Sequence, residues 1–498
     1  MNVNPITRLD YPDPDVIRVE DIYYMVSTTM HFMPGCEILQ SFDLVHWEHV
    51  TYVYETLDHT DAQQLKSGQN IYGQGMWAAS LRYHEGRFYI CFVANDTRKT
   101  YLYTSEKIDG PWKKQLIEGF YHDGSLLFDE DGRNYIVYGN DEIWITELNE
   151  DLTAPKKDGL HRLLVSDHKN PELGYEGSHI QKINGYYYIF LVHSLRDRWM
   201  RTEACFYSDS LEGEFTGGDV LCDDRGYCGQ GVAQGGIVDT PDGKWYAMLF
   251  QDSGAVGRIP ILLPVTWKDH FPVFGQNGHV PEEIDVHSTK PGYIYQPLVG
   301  SDDFCNGLLP RWQFNHDPDP RYYHLDALQG TYTITTREVC TELTQAVNTL
   351  TQRMSYPSCA AEVTVDASAL KEGDVAGLCA LQSCYAAVGI TKHHGKYEVL
   401  MLDKKEDGIL DMTEGTVIES HQMDFRLEAD FCNMKDEARC YYRVNKGDWL
   451  PIGTVHKLYF KLDHFTGCRF GLFCYAAEET GGSACFWDFK YYDVDEIS

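Results

Sequence analysis

One pattern recurs five times in the first 290 residues: a tight turn, then a tyrosine, then a short hydrophobic strand. The copies read Glu20-Asp21-Ile22-Tyr23-Tyr24, Glu85-Gly86-Arg87-Phe88-Tyr89, Asp131-Gly132-Arg133-Asn134-Tyr135, Asn184-Gly185-Tyr186-Tyr187-Tyr188 and Asp242-Gly243-Lys244-Trp245-Tyr246. Asp-Gly and Asn-Gly steps favour two-residue hairpin turns, because both turn residues adopt positive φ. The last tyrosines of the copies stand 65, 46, 53 and 58 residues apart. A period of roughly 50 residues built from hairpins predicts propeller blades, one four-stranded sheet each. Strands after the turns, such as Tyr89-Ile90-Cys91-Phe92-Val93, are apolar on both faces, as strands packed between neighbouring sheets must be. Secondary echoes at Ser41 to Trp47, Ser105 to Trp112 and Ser208 to Phe215 read as outer-strand turns with an aromatic anchor. Helical periodicity is nearly absent. The expectation is an all-β chain opening with a five-bladed β-propeller over residues 1–290.

The texture changes from residue 281. Val280 to Gly300 holds three prolines and no repeat, and reads as a linker wrapping away from the propeller. Residues 301–498 then carry short alternating runs: Ala361 to Asp366, Ala387 to Ile390, Lys457 to Leu462 and Arg469 to Phe473. Short strands with turn signals over such a length predict a C-terminal β-sandwich domain.

Charge and cysteine usage narrow the partners. Lys and Arg number 42 against 75 Asp and Glu, a net charge of −33, which repels nucleic-acid phosphates and anionic membranes. The 34 Tyr, 22 Phe and 10 Trp suit strands and also stacking on sugar rings. Met1 to Pro14 has neither the basic nor the apolar part of a signal peptide, and no run of 18 apolar residues exists. The 15 Cys form no C-x-x-C pair, as free thiols in a reducing compartment would. A cytoplasmic location is therefore expected.

In a propeller the first strand of each blade lines the central channel, one hairpin before the marker strand. Counting back 11 or 12 residues from each marker tyrosine gives Asp13, Trp77, Asp123, Glu176 and Gln234. Three of these five positions are acids and a fourth is Trp. Acids on inner strands are costly unless used or paired. Asp13 lies in Tyr11-Pro12-Asp13-Pro14-Asp15, where the prolines fix the backbone. Gly124 and Gly177 follow the other two acids and allow close approach. Converging carboxyls beside a Trp platform are the minimum apparatus for glycoside hydrolysis. Asp10, Asp15 and Glu172 fall off the phase and read as solvated acids.

These residues resemble family 43 glycoside hydrolases, the inverting five-bladed propeller group of β-xylosidases and α-L-arabinofuranosidases. The similar stretches are Asn4-Pro5 with Tyr11 to Asp15, Pro34-Gly35, Ser41 to Trp47, Gly75 to Ala78, His122 to Ser125, Tyr175 to His179 and Gly257-Arg258. The second domain resembles the concanavalin-like sandwich of the β-xylosidase branch at Trp312 to Asn315, Asn348 to Arg353 and Gly373 to Leu378. The resemblance implies Asp13 as general base, Glu176 as general acid and Asp123 as the carboxylate that orients the acid and raises its pKa. An inverting site would hold base and acid roughly 6.5–9.5 Å apart. It further implies that Arg258 contacts sugar hydroxyls. Trp77 is expected to wall the sugar pocket, Gln234 to be among the residues that bind substrate, and His31 and Phe32 to border its leaving-group side.

Many family members carry a histidine at the fifth inner-strand position beside a channel calcium. Here that position is Gln234, a poorer metal orienter, which puts the calcium in question. No cofactor is expected to be required; a structural calcium among Asp302, Asp303 and Asp488 competes with their being solvated acids. The leading expectation is an exo-acting β-xylosidase on short xylo-oligosaccharides, with α-L-arabinofuranosidase or bifunctional activity as the near alternative. A non-catalytic carbohydrate-binding propeller is the alternative of another class. A retaining fructosyl hydrolase is disfavoured, since that group's opening and Arg-Asp-Pro motifs do not occur in place. The sandwich is expected to cover one side of the pocket and to be structural, and a homo-oligomer stays open.

Overall fold

The computed structural model describes residues 2–413 and 415–493, so the last five residues of the expected sandwich lie outside the described residues. Five separate four-stranded antiparallel sheets follow one another along the first part of the chain. Their first strands are Asp15–Val19, Met76–His84, Ser125–Phe128, Glu176–Ile183 and Val232–Asp239. Each first strand touches the first strands of the two neighbouring sheets, and the fifth returns to the first, so they form a closed ring around an axis. Every marker tyrosine lies on the second strand of its blade, as the repeat required. Apolar side chains such as Ile38, Leu81, Ile90 and Phe92 fill the space between blades. Arg18 on the first blade donates to Asp239 on the fifth and helps close the ring.

The segment after the fifth blade runs back along the propeller rather than away from it. Glu283–Ile284 pairs with Asn2–Val3, Thr289 binds the Phe42 carbonyl, and Tyr293 and Gln296 donate to Glu48 of the first blade. The prolines mark a strap, because a chain without repeats can still satisfy its polar groups on a neighbouring surface.

The remainder folds as two packed sheets. One contains seven strands; the other contains nine, of which Phe32–Met33 is contributed by the first blade and pairs with Gln313–Asn315. Leu378, Val388, Phe425, Leu427, Phe470 and Phe486 are among the side chains that interdigitate between them. The two domains thus share a sheet. One expected strand is absent: the strand Leu450–Lys457 ends where Lys457 to Leu462 was to begin, and residues 458–468 form a loop reaching across to the propeller. Leu458 is buried, while Phe460, Lys461 and Leu462 in succession line a cavity, so the sequence alternation has no counterpart in the fold.

Candidate active site

The backbone of the inner strands determines where the acids point. Asp13, Asp123, Gly177 and Gln234 each lie four residues before the residue that pairs with the marker tyrosine, and all four have φ between 48° and 65°. Trp77 and Glu176 lie one residue earlier than this common position, so the twelve-residue count mixes two registers. On a regular strand one step would turn a side chain to the other face. Here bulges at Met76/Ala79 and Glu176/His179 absorb the step, and both side chains still reach the channel mouth. Gly177 is required twice over: its φ is 65°, and a Cβ would fall 2.7 Å from the Gln234 side chain.

Asp13 is buried and fully engaged. Its Oδ1 accepts from Arg258 Nη1 at 2.9 Å and its Oδ2 from Thr28 Oγ1 at 2.6 Å. Arg258 is 2% exposed and therefore no surface cation; its guanidinium lies 4.2 Å from the ring centroid of Phe465. Glu176 stands apart from this pair. Its Oε2 accepts from Asn140 Nδ2 at 2.7 Å and lies 3.4 Å from His122 Nε2. Asp123 sits between, accepting from the Gly177 amide at 3.0 Å with His122 Nε2 at 3.5 Å.

The charges of this cluster are coupled. Burial pushes the Asp123 carboxyl up to about 6; the adjacent His122 cation opposes that, and the Glu176 and Asp13 charges add to it. Burial works against a charged His122, but Asp123 and Glu176 outweigh it and push the imidazole up to about 9. His122 is therefore a cation at neutral pH, 3.5 Å from Asp123 and 3.4 Å from Glu176. His122 was absent from the sequence-based site because a histidine beside an acid carries no signal until its blade neighbours are known.

A cavity of about 880 Å³ is lined by Glu176, His122 and Asn140, while Asp13, Asp123 and Arg258 are buried behind that lining, so the expected contact of Arg258 with sugar hydroxyls is not seen as a place on the cavity wall. Trp77 forms part of its wall, 5.7 Å from His122 and 5.6 Å from Phe465 between ring centroids. The sandwich contributes Met434, Phe460, Lys461, Leu462 and Phe465, so it builds the pocket rather than serving only as support. Its loop is seated at Gly73, where a Cβ would fall 2.3 Å from the Leu462 carbonyl oxygen.

Three further expectations need correction. His31 and Phe32 are fully buried away from the cavity lining: His31 packs on Tyr72, His316 and His464, and Arg469 lies 3.4 Å from the Phe32 ring centroid. They are seam residues between the domains, a role a single chain's pattern cannot show. Gln234 is buried beneath Gly177, its amide donating to Glu203, and does not line the cavity. Asp10 and Asp15 are buried, not solvated: Asp10 accepts from the Arg258 and Gly467 amides, and Asp15 pairs with Arg82 and His179. Glu172 is exposed at the cavity rim.

The axis below the acids does not suit the calcium the fold family implies. Arg82 lies there, donating to Asp15 Oδ2 (2.7 Å), Ser125 Oγ (2.7 Å), and the carbonyls of Leu81 (2.7 Å), Leu126 (2.9 Å) and Ile180 (3.2 Å). Oxygens from four blades that could bind a cation are already satisfied by a guanidinium. Burial alone would raise the Asp15 carboxyl, but Arg82 and His179 offset it and hold it below the usual range. The axial histidine is His179 on the fourth inner strand, not a residue of the fifth. In the sandwich, Asp302 and Phe489 pair across the domain's two ends, and Asp302 accepts from Trp312 Nε1 and the Phe304 amide. Asp302, Asp303 and Asp488 line one concavity, but among the described residues only His122, Asp123 and Glu176 bring three ligand-type atoms within 4.8 Å of one another.

The glycosyl hydrolase family 43 model matches residues 3–272, and that of the β-xylosidase C-terminal concanavalin A-like domain matches residues 301–492. The chain belongs to glycosyl hydrolase family 43. It is 27% identical to a β-xylosidase of Formosa agariphila over 99% of this chain and 89% of that protein. It is 24% identical to a xylosidase/arabinosidase of Butyrivibrio fibrisolvens over 99% of both. Among solved structures, a bifunctional GH43-CE protein of Bacteroides eggerthii superposes with a TM-score of 0.92 at 42% identity; it covers 99% of this chain, which spans 64% of that protein's length. A family 43 enzyme engineered to display both endo-xylanase and exo-arabinofuranosidase activity superposes at 0.86 with 27% identity over 99% of both chains. The chain is thus a glycoside hydrolase of the xylosidase/arabinosidase family, in which the cavity lined by Glu176 and His122, with Asp13 and Asp123 buried beside it, is the candidate active site. No helix among the described residues is long and apolar enough to cross a membrane.

Proposed function

We propose that this family 43 enzyme is an inverting exo-glycosidase that releases xylose from the non-reducing end of short β-1,4-xylo-oligosaccharides. The observation that carries the reading is the division of labour among the carboxyls. Asp13 is held by Arg258 and Thr28, while Glu176 is held by Asn140 within reach of His122. Asp13 takes a proton from water as the water oxygen attacks the anomeric carbon. The bond to the leaving oxygen breaks as that oxygen takes the Glu176 proton. Asp123 binds the Gly177 amide and so fixes the strand start that carries Glu176. Exo action is supported by the sandwich loop, whose Phe460, Lys461, Leu462 and Phe465 form part of the cavity wall together with Trp77. Arg82 in the axis supports a reaction that needs no added metal.

α-L-Arabinofuranosidase activity is the second reading, favoured by the names of the Butyrivibrio relative and of the engineered structure. The deciding experiment is hydrolysis of aryl β-D-xyloside and aryl α-L-arabinofuranoside side by side, with NMR of the first-formed anomer. Release of α-xylose from the β-xyloside supports the proposal. Release of β-xylose means retention and withdraws the roles of Asp13 and Glu176. Cleavage of the arabinoside alone keeps the machinery and changes the substrate. Cleavage of neither moves the weight to another glycoside.

A further inference from the structure

Two residues that the acid–base machinery does not use face the same cavity. Arg201 opens the third strand of the fourth blade and Asp252 ends the second strand of the fifth. Arg201 Nε donates to Asp252 Oδ2 at 2.8 Å. The Arg201 side chain is only 7% exposed, yet its two terminal nitrogens make no hydrogen bond to any described residue. Asp252 Oδ1 is also buried without a partner. Both side chains line the cavity. The Phe250 ring lies 5.2 Å from the Arg201 guanidinium and 5.4 Å from that of Arg258, which places the pair within reach of the base. Trp199, half exposed at the mouth, packs on the other side of Arg201 at 5.2 Å.

A buried acceptor left without a partner destabilises a protein, so Asp252 Oδ1 marks where a ligand completes the set, beside the unbonded terminal nitrogens of an arginine that lines the cavity. The free atoms here are guanidinium N–H donors beside one carboxylate acceptor. That set matches two adjacent hydroxyls, each of which can accept from Arg201 and one of which can donate to Asp252. It does not match a carboxylate or phosphate, because Asp252 already neutralises the guanidinium, and Glu176 and Asp13 add negative charge nearby.

We propose that the Arg201–Asp252 pair binds a vicinal diol of the neutral sugar at the non-reducing end and so determines substrate specificity. This rests on the xyloside reading above. Arg201 and Asp252 act on ring hydroxyls away from the bond being broken, so the pair selects the sugar without taking part in proton transfer. A hydroxyl that loses a charged partner costs about 10- to 100-fold in kcat/KM, and more where the site is fully dry.

The test pairs enzyme variants with substrate deletions: wild type, Arg201→Met and Asp252→Asn against 4-nitrophenyl β-D-xyloside and its 2-, 3- and 4-deoxy analogues. Thermal unfolding checks that each variant is folded. Wild type is expected to lose about 10- to 100-fold in kcat/KM at two neighbouring positions. In Arg201→Met both penalties should shrink to within about threefold, while the penalty at the third position is kept. A merely structural role would lower activity on all four substrates alike. Undiminished penalties in folded Arg201→Met overturn the proposal; if that variant does not fold, Asp252→Asn, which removes the charge and keeps the shape, should shrink the penalty at the one position whose hydroxyl donates to Asp252, and an undiminished penalty there overturns the proposal. Wild type inert on every xyloside overturns the xyloside reading instead, and the same cycle on α-L-arabinofuranosides then decides the pair.

Discussion

Replacing Arg258 by Met probes the base most directly. The Arg258 and Asp13 side chains are 2% and 7% exposed and lie 2.9 Å apart. Without the guanidinium, the carboxylate keeps a single donor, the Thr28 hydroxyl at 2.6 Å. Removing one partner of a buried pair costs about 3–5 kcal/mol, because the remaining charge is left uncompensated. Where the carboxyl is neutralised instead and must be freed of its proton at that cost before it acts, about 1.4 kcal/mol per tenfold sets an upper bound of roughly 150- to 5,000-fold on the loss in kcat/KM. Asp13 then either stays charged and destabilises the fold, or is neutralised and no longer serves as a base. Both outcomes are measured, by kcat/KM on aryl β-D-xyloside and by thermal unfolding. Arg258→Lys restores a charge but cannot contact both Asp13 and the Phe465 carbonyl, 3.4 Å from Nη2, so it should fall between wild type and Met. Thr28→Val, which removes one hydrogen bond, should cost only about 10-fold. An Arg258→Met enzyme within fivefold of wild type and equally stable refutes the assignment of Asp13 as a base held by Arg258.

Other consequences follow from the same geometry. Glu176→Gln should lose about 1,000-fold on xylobiose but only about 10-fold on a 2,4-dinitrophenyl xyloside, whose leaving group needs no proton; equal losses on both contradict its role as acid. His122 is pushed up to about 9, above its ordinary 6.5, so its contribution to stability is complete below about pH 6.5 and lost as the pH rises through 9. The melting-temperature gap between wild type and His122→Gln should therefore close over that window, and a gap constant with pH would contradict the charged cluster. Because Arg82 already fills the axial oxygen sites, dialysis against EDTA should leave kcat/KM within about twofold, and a loss restored by calcium would show the axis is read wrongly.

How much of this was legible in the sequence depends on the range of the interaction. Blade number follows from turn residues and strand patterns repeated along the chain, which are local. The three acids could be found because repetition supplies an internal alignment: an inner-strand position of one blade identifies the same position in the others. That alignment is good to about one residue, which is why Glu176 and Asp123 came out together although their ladder positions differ. Contacts between distant segments left no such mark. His31 and Phe32 looked like loop residues near a pocket because the partners that bury them, His316, His464 and Arg469, lie about 300 or more residues later. Lys457 to Leu462 alternated like a strand, yet Phe460, Lys461 and Leu462 all line the cavity, and the propeller surface that this loop meets lies far away in sequence. Asp10 and Asp15 looked solvated because their partners, Arg258, Gly467, Arg82 and His179, come from other blades or the other domain.

The sandwich therefore supports Asp13, the proposed base, as well as walling the cavity. Asp13 lies three residues after Asp10, whose carboxylate holds the Arg258 amide at 2.8 Å on one oxygen and the Gly467 amide at 2.7 Å on the other. The Asp10 carbonyl accepts from Arg353 Nε at 2.9 Å, and the Arg353 guanidinium lies 4.0 Å from the Tyr11 ring centroid and pairs with Glu37. Gly467 and Arg353 belong to the sandwich; Asp10, Tyr11 and Glu37 belong to the first blade. The turn that presents Asp13, the proposed base, in a left-handed conformation is thus held from both domains, and φ of 53° at a non-glycine residue persists only where its surroundings over-determine it. The propeller supplies the acids at repeated positions, but one of them depends for its geometry on a domain that is not part of the repeat. A propeller cut free of its sandwich would lose the cap over the sugar and two of the supports of its base together, which is a physical reason for the two domains to share a continuous sheet.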